Sequence, residues 1–404
     1  MFRTVSKGNV KISGTLACIF LCSVSGCDKV PTWDELTSGK QPDAPVAATP
    51  TTPAPTQPVE PVKPPPAPPK PTVEEVLEKF QATRPNDVSN QTIAMLTSVD
   101  EGIEQITEID ATNSRVTNEG LVTLPKLTSL RMLKLDGTTV DDQGCEHIGK
   151  LPALEVLTLT GSKITDNGVN HLRDLPHLKS LWLSHAKLTA AGFESLGQLS
   201  SLQELVINDS SVDDEAMQAI CRAKTLQILK IHNTRVTDRG LEALSNLDNL
   251  TVLVVAGCPV TCENLNKLAK SKSLIELDVG VTPLNNDGAI AIGHIDSLQK
   301  LRMWQMSGMT DEHLKVILAG KKELVQLNIG KNPALTNNAL SLLQNMKKLE
   351  YLDISYNNNF SDAGLVFLKN LKALKTLAYH GTTISPAGIE ALRKFIPEVN
   401  KKPG

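Results

Sequence analysis

The sequence predicts an α/β solenoid, a parallel β-sheet backed by short helices and built from about twelve copies of one strand–helix unit. Three observations carry this. Residues 226–249, LQILKIHNTRVTDRGLEALSNLDN, recur along the chain, with copies beginning at Ile106, Leu130, Leu154, Leu178, Leu202, Leu226, Leu250, Leu274, Leu298, Leu324, Leu349 and Leu374. The hydrophobic period changes inside each copy: Leu229 and Ile231 alternate as in a strand with one buried face, whereas Leu241, Leu244 and Leu247 recur at helical spacing. Between the two halves stands a helix-capping residue in every copy: Thr117, Asp141, Thr165, Thr189, Asp213, Thr237, Thr261, Asn285, Thr310, Thr336, Ser361 and Ser385. A side-chain oxygen there can accept an orphan N–H of the helix it opens, worth about 1 kcal/mol each.

A unit of 24 residues cannot bury its own apolar stripe, so neighbouring copies must stack. The pattern L-x-x-L-x-L followed by V/I-T-D-x-G-L resembles the leucine-rich repeats, in particular the ribonuclease-inhibitor-like and cysteine-containing classes. That resemblance implies a horseshoe with a parallel concave sheet and short convex helices over residues 106–399. An acid often follows the cap (Asp166, Asp238, Asp311, Asp362), where it suits the positive end of the helix dipole. A second column, including Ser114, Thr138, Thr234, Cys258, Asn332 and Asn357, is expected to turn inward and satisfy backbone groups. Ser and Thr there depart from the Asn or Cys of the resembled classes. The ninth, tenth and eleventh copies run to 26, 25 and 25 residues, which predicts different turns after their strands.

Taken in order, the chain begins with Arg3, Lys7 and Lys11 before an apolar run at residues 12–24, too short to span a bilayer. This reads as a secretory signal over residues 1–26. It ends Val24-Ser25-Gly26-Cys27, which resembles the lipobox of bacterial lipoproteins and implies lipidation of Cys27 as the mature N-terminus. The alternative is an ordinary signal peptide with an incidental cysteine. Several acyl chains would anchor the protein stably where one would not. The resemblance places the protein in the bacterial cell envelope, facing the periplasm or the exterior.

Residues 27–71 form the lipidated N-terminus and a linker: 13 of the 30 residues from 42 to 71 are proline. Such a stretch favours polyproline II, a spacer of up to roughly 90 Å at about 3.1 Å per residue. A PPPAPP docking motif is the other reading. Residues 72–105 should cap the array: a helix starting at Thr72 (TVEEVLEKF), then a repeat-like helical half through Ile93, Leu96 and Val99. At the far end Phe395, Ile396 and Val399 are the apolar candidates for a cap, with residues 400–404 as a tail.

Net charge is -3, and removing residues 1–26 (three cations, no acids) gives -3 - 3 = -6, with no basic patch for nucleic acid. Of seven cysteines, Cys145 and Cys221 lie three repeats apart on helix positions. Cys258 and Cys262 could pair across one turn, or be buried as free thiols. No cofactor is expected: catalytic signatures such as G-x-S-x-G or H-E-x-x-H are absent, and the eight histidines are scattered. No F-box precedes the array.

Function is therefore expected on the concave sheet. Ile228 and Val252 fall in its first outward column, Trp182, Val206, Lys230, Val254, Asp278 and Arg302 in the central one, and His232, Ala256 and Trp304 in the third. Glu276 with Lys300, Asp278 with Arg302, and Asp110 with Lys134 are predicted lateral ion pairs. The cluster Val206, Ile228, Val252, Val254 and Ala256, with Trp182 and Trp304 about 24 Å apart at a strand spacing near 4.8 Å, predicts an exposed apolar interface. The plainer account is that β-branched residues simply favour strands. The expectation is a non-catalytic scaffold that binds a protein partner, with a cell-wall glycan (peptidoglycan) module or a structural spacer as alternatives. One consequence is direct: Cys27→Ser should abolish fatty-acid labelling and move the protein from the membrane to the soluble fraction, whereas labelling retained in that variant would contradict the lipobox reading.

Overall fold

The computed structural model describes residues 70–99, 101–269 and 272–400, all within the compact unit Ala67–Gly404. The expected signal, Cys27 and nearly all of the proline-rich stretch lie outside the described residues. Twelve three-residue strands follow one another: β1 (Glu108–Asp110), β2 (Met132–Lys134), β3 (Val156–Thr158), β4 (Ser180–Trp182), β5 (Glu204–Val206), β6 (Ile228–Lys230), β7 (Val252–Val254), β8 (Glu276–Asp278), β9 (Lys300–Arg302), β10 (Gln326–Asn328), β11 (Tyr351–Asp353) and β12 (Thr376–Ala378). They form one parallel sheet in chain order. Pairing steps by one repeat, as in Ile228↔Val252↔Glu276, so every sequence column becomes a row across the sheet.

The middle residue of each strand points inward, and Leu133, Leu157, Leu229 and Leu327 are fully buried. In the sixth repeat all seven apolar positions, Leu226, Leu229, Ile231, Val236, Leu241, Leu244 and Leu247, are at most 1% exposed, so the two hydrophobic periods feed one continuous core. Each such leucine contributes roughly 1.5–3 kcal/mol by burial.

Just past each strand, one residue per repeat adopts the left-handed conformation, and in the first eleven repeats it donates its N–H to the next repeat. Asn233 (φ 53) donates to Ala256 O at 2.9 Å, and Val281 (φ 59) to Trp304 O at 2.9 Å.

The capping column behaves differently from expectation. Asp141, Asp213, Thr237, Asn285, Thr310, Thr336 and Ser385 do accept an N–H of their own helix, but Thr117, Thr165, Thr189 and Ser361 do not. These four are bonded to the side chain that opens the previous repeat's helix, a link that Thr237, Thr336 and Ser385 make as well as capping their own. Asp142 accepts the Thr165 N–H at 2.8 Å and its hydroxyl at 2.5 Å; Asp214 accepts the Thr237 N–H and hydroxyl at 2.8 and 2.7 Å and the Gly240 N–H at 3.0 Å. Asn90 and Asn337 make the same link with an amide. A carboxylate acceptor strengthens such bonds, and the hydroxyl oxygen stays able to accept, as in Thr237, which donates to Asp214 and accepts the Arg239 N–H. Where the preceding repeat offers Ala190 or Cys262 at that place, Asp213 and Asn285 cap their own helices. The acid is thus an inter-repeat tie as well as a dipole partner. It also explains the glycine of T-D-x-G: a Cβ on Gly168 or Gly240 would lie 2.5 Å from the carboxylate of Asp142 or Asp214.

The seventh repeat breaks the ladder. Thr261 does not cap a helix; Cys262, left-handed at φ 72, opens a 3₁₀ segment, Glu263–Leu268. Asp238 Oδ2 still accepts both groups of Thr261, but its Oδ1 is buried with no hydrogen-bond partner among the described residues. Cys258 and Cys262 are free buried thiols, so the disulfide alternative is corrected. Cys258 Sγ donates to Ile231 O at 3.2 Å, and burial pushes both thiols up, away from thiolate chemistry.

The longer repeats do turn differently. In five of the shorter ones (Thr138, Ser210, Thr234, Thr282 and Thr382) a hydroxyl returns to a carbonyl three residues back, as Thr234 does to Ile231 O at 2.9 Å. Asn332, with two donors, reaches Ile329 O at 2.9 Å and Met303 O of the previous repeat at 2.8 Å, while its Oδ1 accepts the Met306 N–H. Asn357 repeats the arrangement one turn on. The added residue of the tenth and eleventh copies therefore goes with a side chain long enough to span two repeats, whereas the ninth carries Met306 there. One charged residue, Lys321, enters the apolar column: its ammonium is buried and donates to Gly293 O at 2.5 Å.

Both ends are closed. Helix α1 (Val73–Gln81) carries a Thr72/Glu75 capping box and α2 (Asn90–Leu96) a Ser89/Thr92 one, burying Val73, Val76, Ile93 and Leu96. At the other end Ile396 and Val399 are buried, but Phe395 is 52% exposed and does not act as a cap. Asn400 does: its side chain accepts the Leu377 N–H at 2.9 Å and donates to Leu377 O at 2.8 Å, imitating the peptide of a thirteenth strand. The inter-repeat tie can be weighed directly. Asp214→Ala leaves three donors without their acceptor and is expected to lower stability by about 1–3 kcal/mol in denaturant titration, while Glu215→Ala, one residue along on an exposed position, should change it by less than about 0.5 kcal/mol. Equal effects would contradict the tie.

Candidate concave interface

Strand alternation sends the first and third residues of each strand to the concave face. There Ile228 (β6), Val252 and Val254 (β7) adjoin in register and are half-buried, with Lys230 beside Val254. Val206 and Ala256, expected with them at the surface, are 6% and 3% exposed. Val206 sits below larger neighbours in its row, flanked by Trp182 and Lys230. The apolar patch is narrower than the sequence suggested.

Charge bounds it on both sides. Toward the N-terminus, Glu204 accepts from the Ser180 hydroxyl at 2.7 Å and lies 3.8 Å from Lys230. Toward the C-terminus, Glu276 pairs with Lys300 at 3.3 Å and with Arg302 at 2.5 Å. The register opposes Asp278 to Arg302, yet that separation is 4.0 Å, so the guanidinium's chief partner is Glu276. Arg302 is long enough to reach diagonally, and Asp278 already accepts the Gly280 N–H at 3.0 Å. Lys134 and Asp110 pair as expected, at 3.2 Å.

The two acids respond oppositely. Burial pushes the Glu276 carboxyl up, but the hydrogen bond and charge of Arg302, joined by Lys300, outweigh it and hold the group below the ordinary glutamate value. Burial also pushes Asp278 up, and there the Gly280 N–H and the charges of Arg302 and His232 do not overcome it.

The aromatic residues flank this patch. Trp182 is 37% exposed at the end of β4. Trp304 follows β9, half-buried, and its ring lies against the bare backbone of Gly280, where a Cβ would collide with the indole. His232 is half-buried, its N–H held by Asn208 Oδ1 at 2.8 Å. The concave calls Ile228, Lys230, Val252, Val254, Asp278 and Arg302 thus fall together. Trp182 and Trp304 sit to either side.

Sequence reasoning missed Glu204 as a bridging acid and Lys331, whose ammonium stands 5.7 Å from the Trp304 ring centre and 5.6 Å from that of Tyr356. Spacing within one repeat gives no sign of contacts that join three. Among the described residues no group of three or more His, Cys, Asp or Glu is placed to hold a metal ion, and no helix is long and apolar enough to cross a membrane.

A leucine-rich-repeat family model matches residues 345–369. No curated protein matches the chain. Among solved structures, the chain is similar to an internalin from Listeria monocytogenes, at 20% identity over 82% of this chain and 95% of that one, with a TM-score of 0.56. A leucine-rich-repeat protein of Leptospira interrogans aligns at 18% identity over 80% of this chain and 98% of that one, with a TM-score of 0.41. A plant peptide hormone receptor, solved in complex with its peptide, aligns at 18% identity over 72% of this chain and 54% of the receptor, with a TM-score of 0.40. The family match and the internalin likeness agree with the strand order on the fold: a leucine-rich-repeat solenoid.

The Glu276 cluster sets a pH dependence. Its folded pKa lies below the unfolded value near 4.5, so its stabilisation is complete above 4.5 and is lost as pH falls through the folded value. Glu276→Gln should flatten that part of the acid unfolding profile; an unchanged acid limb would contradict the pairing.

Proposed function

We propose that this leucine-rich-repeat solenoid is a non-catalytic scaffold that binds another protein on its concave sheet. One observation carries the reading: the half-buried Ile228, Val252 and Val254 form an apolar patch on a rigid sheet, with the Glu204–Lys230 and Glu276–Lys300–Arg302 ion pairs on either side. An apolar centre ringed by paired charge is the anatomy of a protein interface, and the register that fixes it requires no reorganisation on binding. Trp182 and Trp304 supply anchors of the residue type most enriched at such contacts. Cys27 and the proline-rich residues 42–71 support a lipid-anchored protein carried on a spacer at the envelope, outside the cytoplasm. The buried thiols of Cys145, Cys221, Cys258 and Cys262, all pushed up by burial, offer no nucleophile.

The test is capture from envelope extract on the immobilised protein, scored against two variants. Ile228→Asp with Val252→Asp is expected to weaken retention of a protein partner by about thirtyfold or more, the loss of one hot spot. Trp182→Ala with Trp304→Ala would instead abolish retention of a peptidoglycan fraction if sugar rings stack there. Unchanged capture by both variants would sink the concave-site reading.

A further inference from the structure

The turns that follow the strands form a rim beside the concave face, and their charge is unevenly placed. In the first six repeats the segment between the left-handed residue and the cap contains Arg115, Lys163, Lys187, Asp209 and Arg235. In the last six the corresponding residues, 257–260, 281–284, 305–309, 331–335, 356–360 and 381–384, contain one ionised side chain, Lys331. Its ammonium is held between the rings of Trp304 and Tyr356, with Gln305 Oε1 at 3.5 Å, and no carboxylate pairs with it among the described residues. Two aromatic faces position a cation without neutralising it.

Next to Lys331 lies a groove of about 540 Å³. The ninth repeat's added length, turning a second time at Gly308 (φ 90), helps shape it, and Val281, Pro283, Met309, Pro333 and Ala334 give it a largely apolar lining. Val281 is left-handed at φ 59 although β-branched, a conformation that costs energy, and it is 36% exposed. Glycine or asparagine would relieve that strain; the valine instead places apolar surface at a position that disfavours it.

We propose that this rim, over repeats eight to eleven, docks an acidic protein segment: a carboxylate on Lys331 and an adjoining aliphatic side chain in the groove. The lone unneutralised cation supplies the charge complementarity, and a carboxylate there makes a charge-assisted hydrogen bond. The valine, methionine and proline lining favours an aliphatic side chain over a sugar hydroxyl, and a single cation is too little for a polyphosphate backbone. The proposal shares Trp304 with the concave surface but does not depend on it, because Lys331, Val281 and the groove lie on the turns.

The full chain is titrated against a labelled, end-capped nonapeptide, Gly-Ser-Gly-Leu-Glu-Leu-Gly-Ser-Gly, its Glu-to-Gln counterpart, and polygalacturonate, with binding read by fluorescence anisotropy. The expected result is at least about tenfold tighter binding of the Glu peptide than of the Gln peptide. That preference should vanish in Lys331→Gln, weaken in Tyr356→Ala, and survive Lys331→Arg and the Ile228→Asp/Val252→Asp pair. Lys331 is exposed, so thermal unfolding of Lys331→Gln should be unchanged. Equal binding of the two peptides, a Glu preference that persists in Lys331→Gln, or binding of polygalacturonate alone would each overturn the proposal. Loss of the preference in the Ile228→Asp/Val252→Asp pair would also overturn it, by placing the peptide on the concave sheet.

Discussion

The hydrogen bonds between the opening of one repeat's helix and the cap of the next are the constraint from which much of the rest follows. The Asp142–Thr165 and Asp214–Thr237 ties, together with the left-handed N–H to carbonyl bonds past each strand, fix the step between repeats. Stacked leucines supply most of the burial free energy but tolerate sliding; directional bonds at both edges of the sheet do not. With the step fixed, side chains 24 residues apart are neighbours, and single residues such as Ile228 and Val252 become one surface.

The places where repetition fails are informative. Where the preceding repeat has Ala190 or Cys262 in place of an acid or amide, the following repeat's cap, Asp213 or Asn285, caps its own helix. In the lengthened tenth and eleventh repeats, asparagine replaces serine or threonine, and one amide satisfies carbonyls of two repeats. The seventh repeat has no such remedy and leaves Asp238 Oδ1 without a hydrogen-bond partner among the described residues. The groove beside Lys331 likewise lies where the ninth repeat departs from 24 residues. Departures from period carry the individuality of this solenoid.

Properties that repeat were legible in the sequence: strand and helix halves, sheet order, the inward column and the composition of each concave row. Properties that depend on the sizes of particular neighbours were not. Val206 is buried between the longer Trp182 and Lys230, and Arg302 prefers Glu276 because it reaches diagonally past its register partner. The ties of Thr117, Thr165, Thr189 and Ser361 to the preceding repeat were not legible either, because their partners lie a whole repeat away in the sequence. The terminal cap was sought among apolar residues, yet it is the Asn400 amide that meets the open strand edge, because an edge exposes peptide groups as well as core.

The central claim is that the concave centre is a protein contact. It is tested most directly by a photoreactive residue at Val254, in the half-buried patch, against a control at Glu242 on the convex side, with crosslinking in intact cells followed by mass spectrometry. The account predicts one dominant protein adduct at Val254 and none at Glu242. Equal labelling at both positions, or no protein adduct at Val254 in correctly anchored protein, would contradict it.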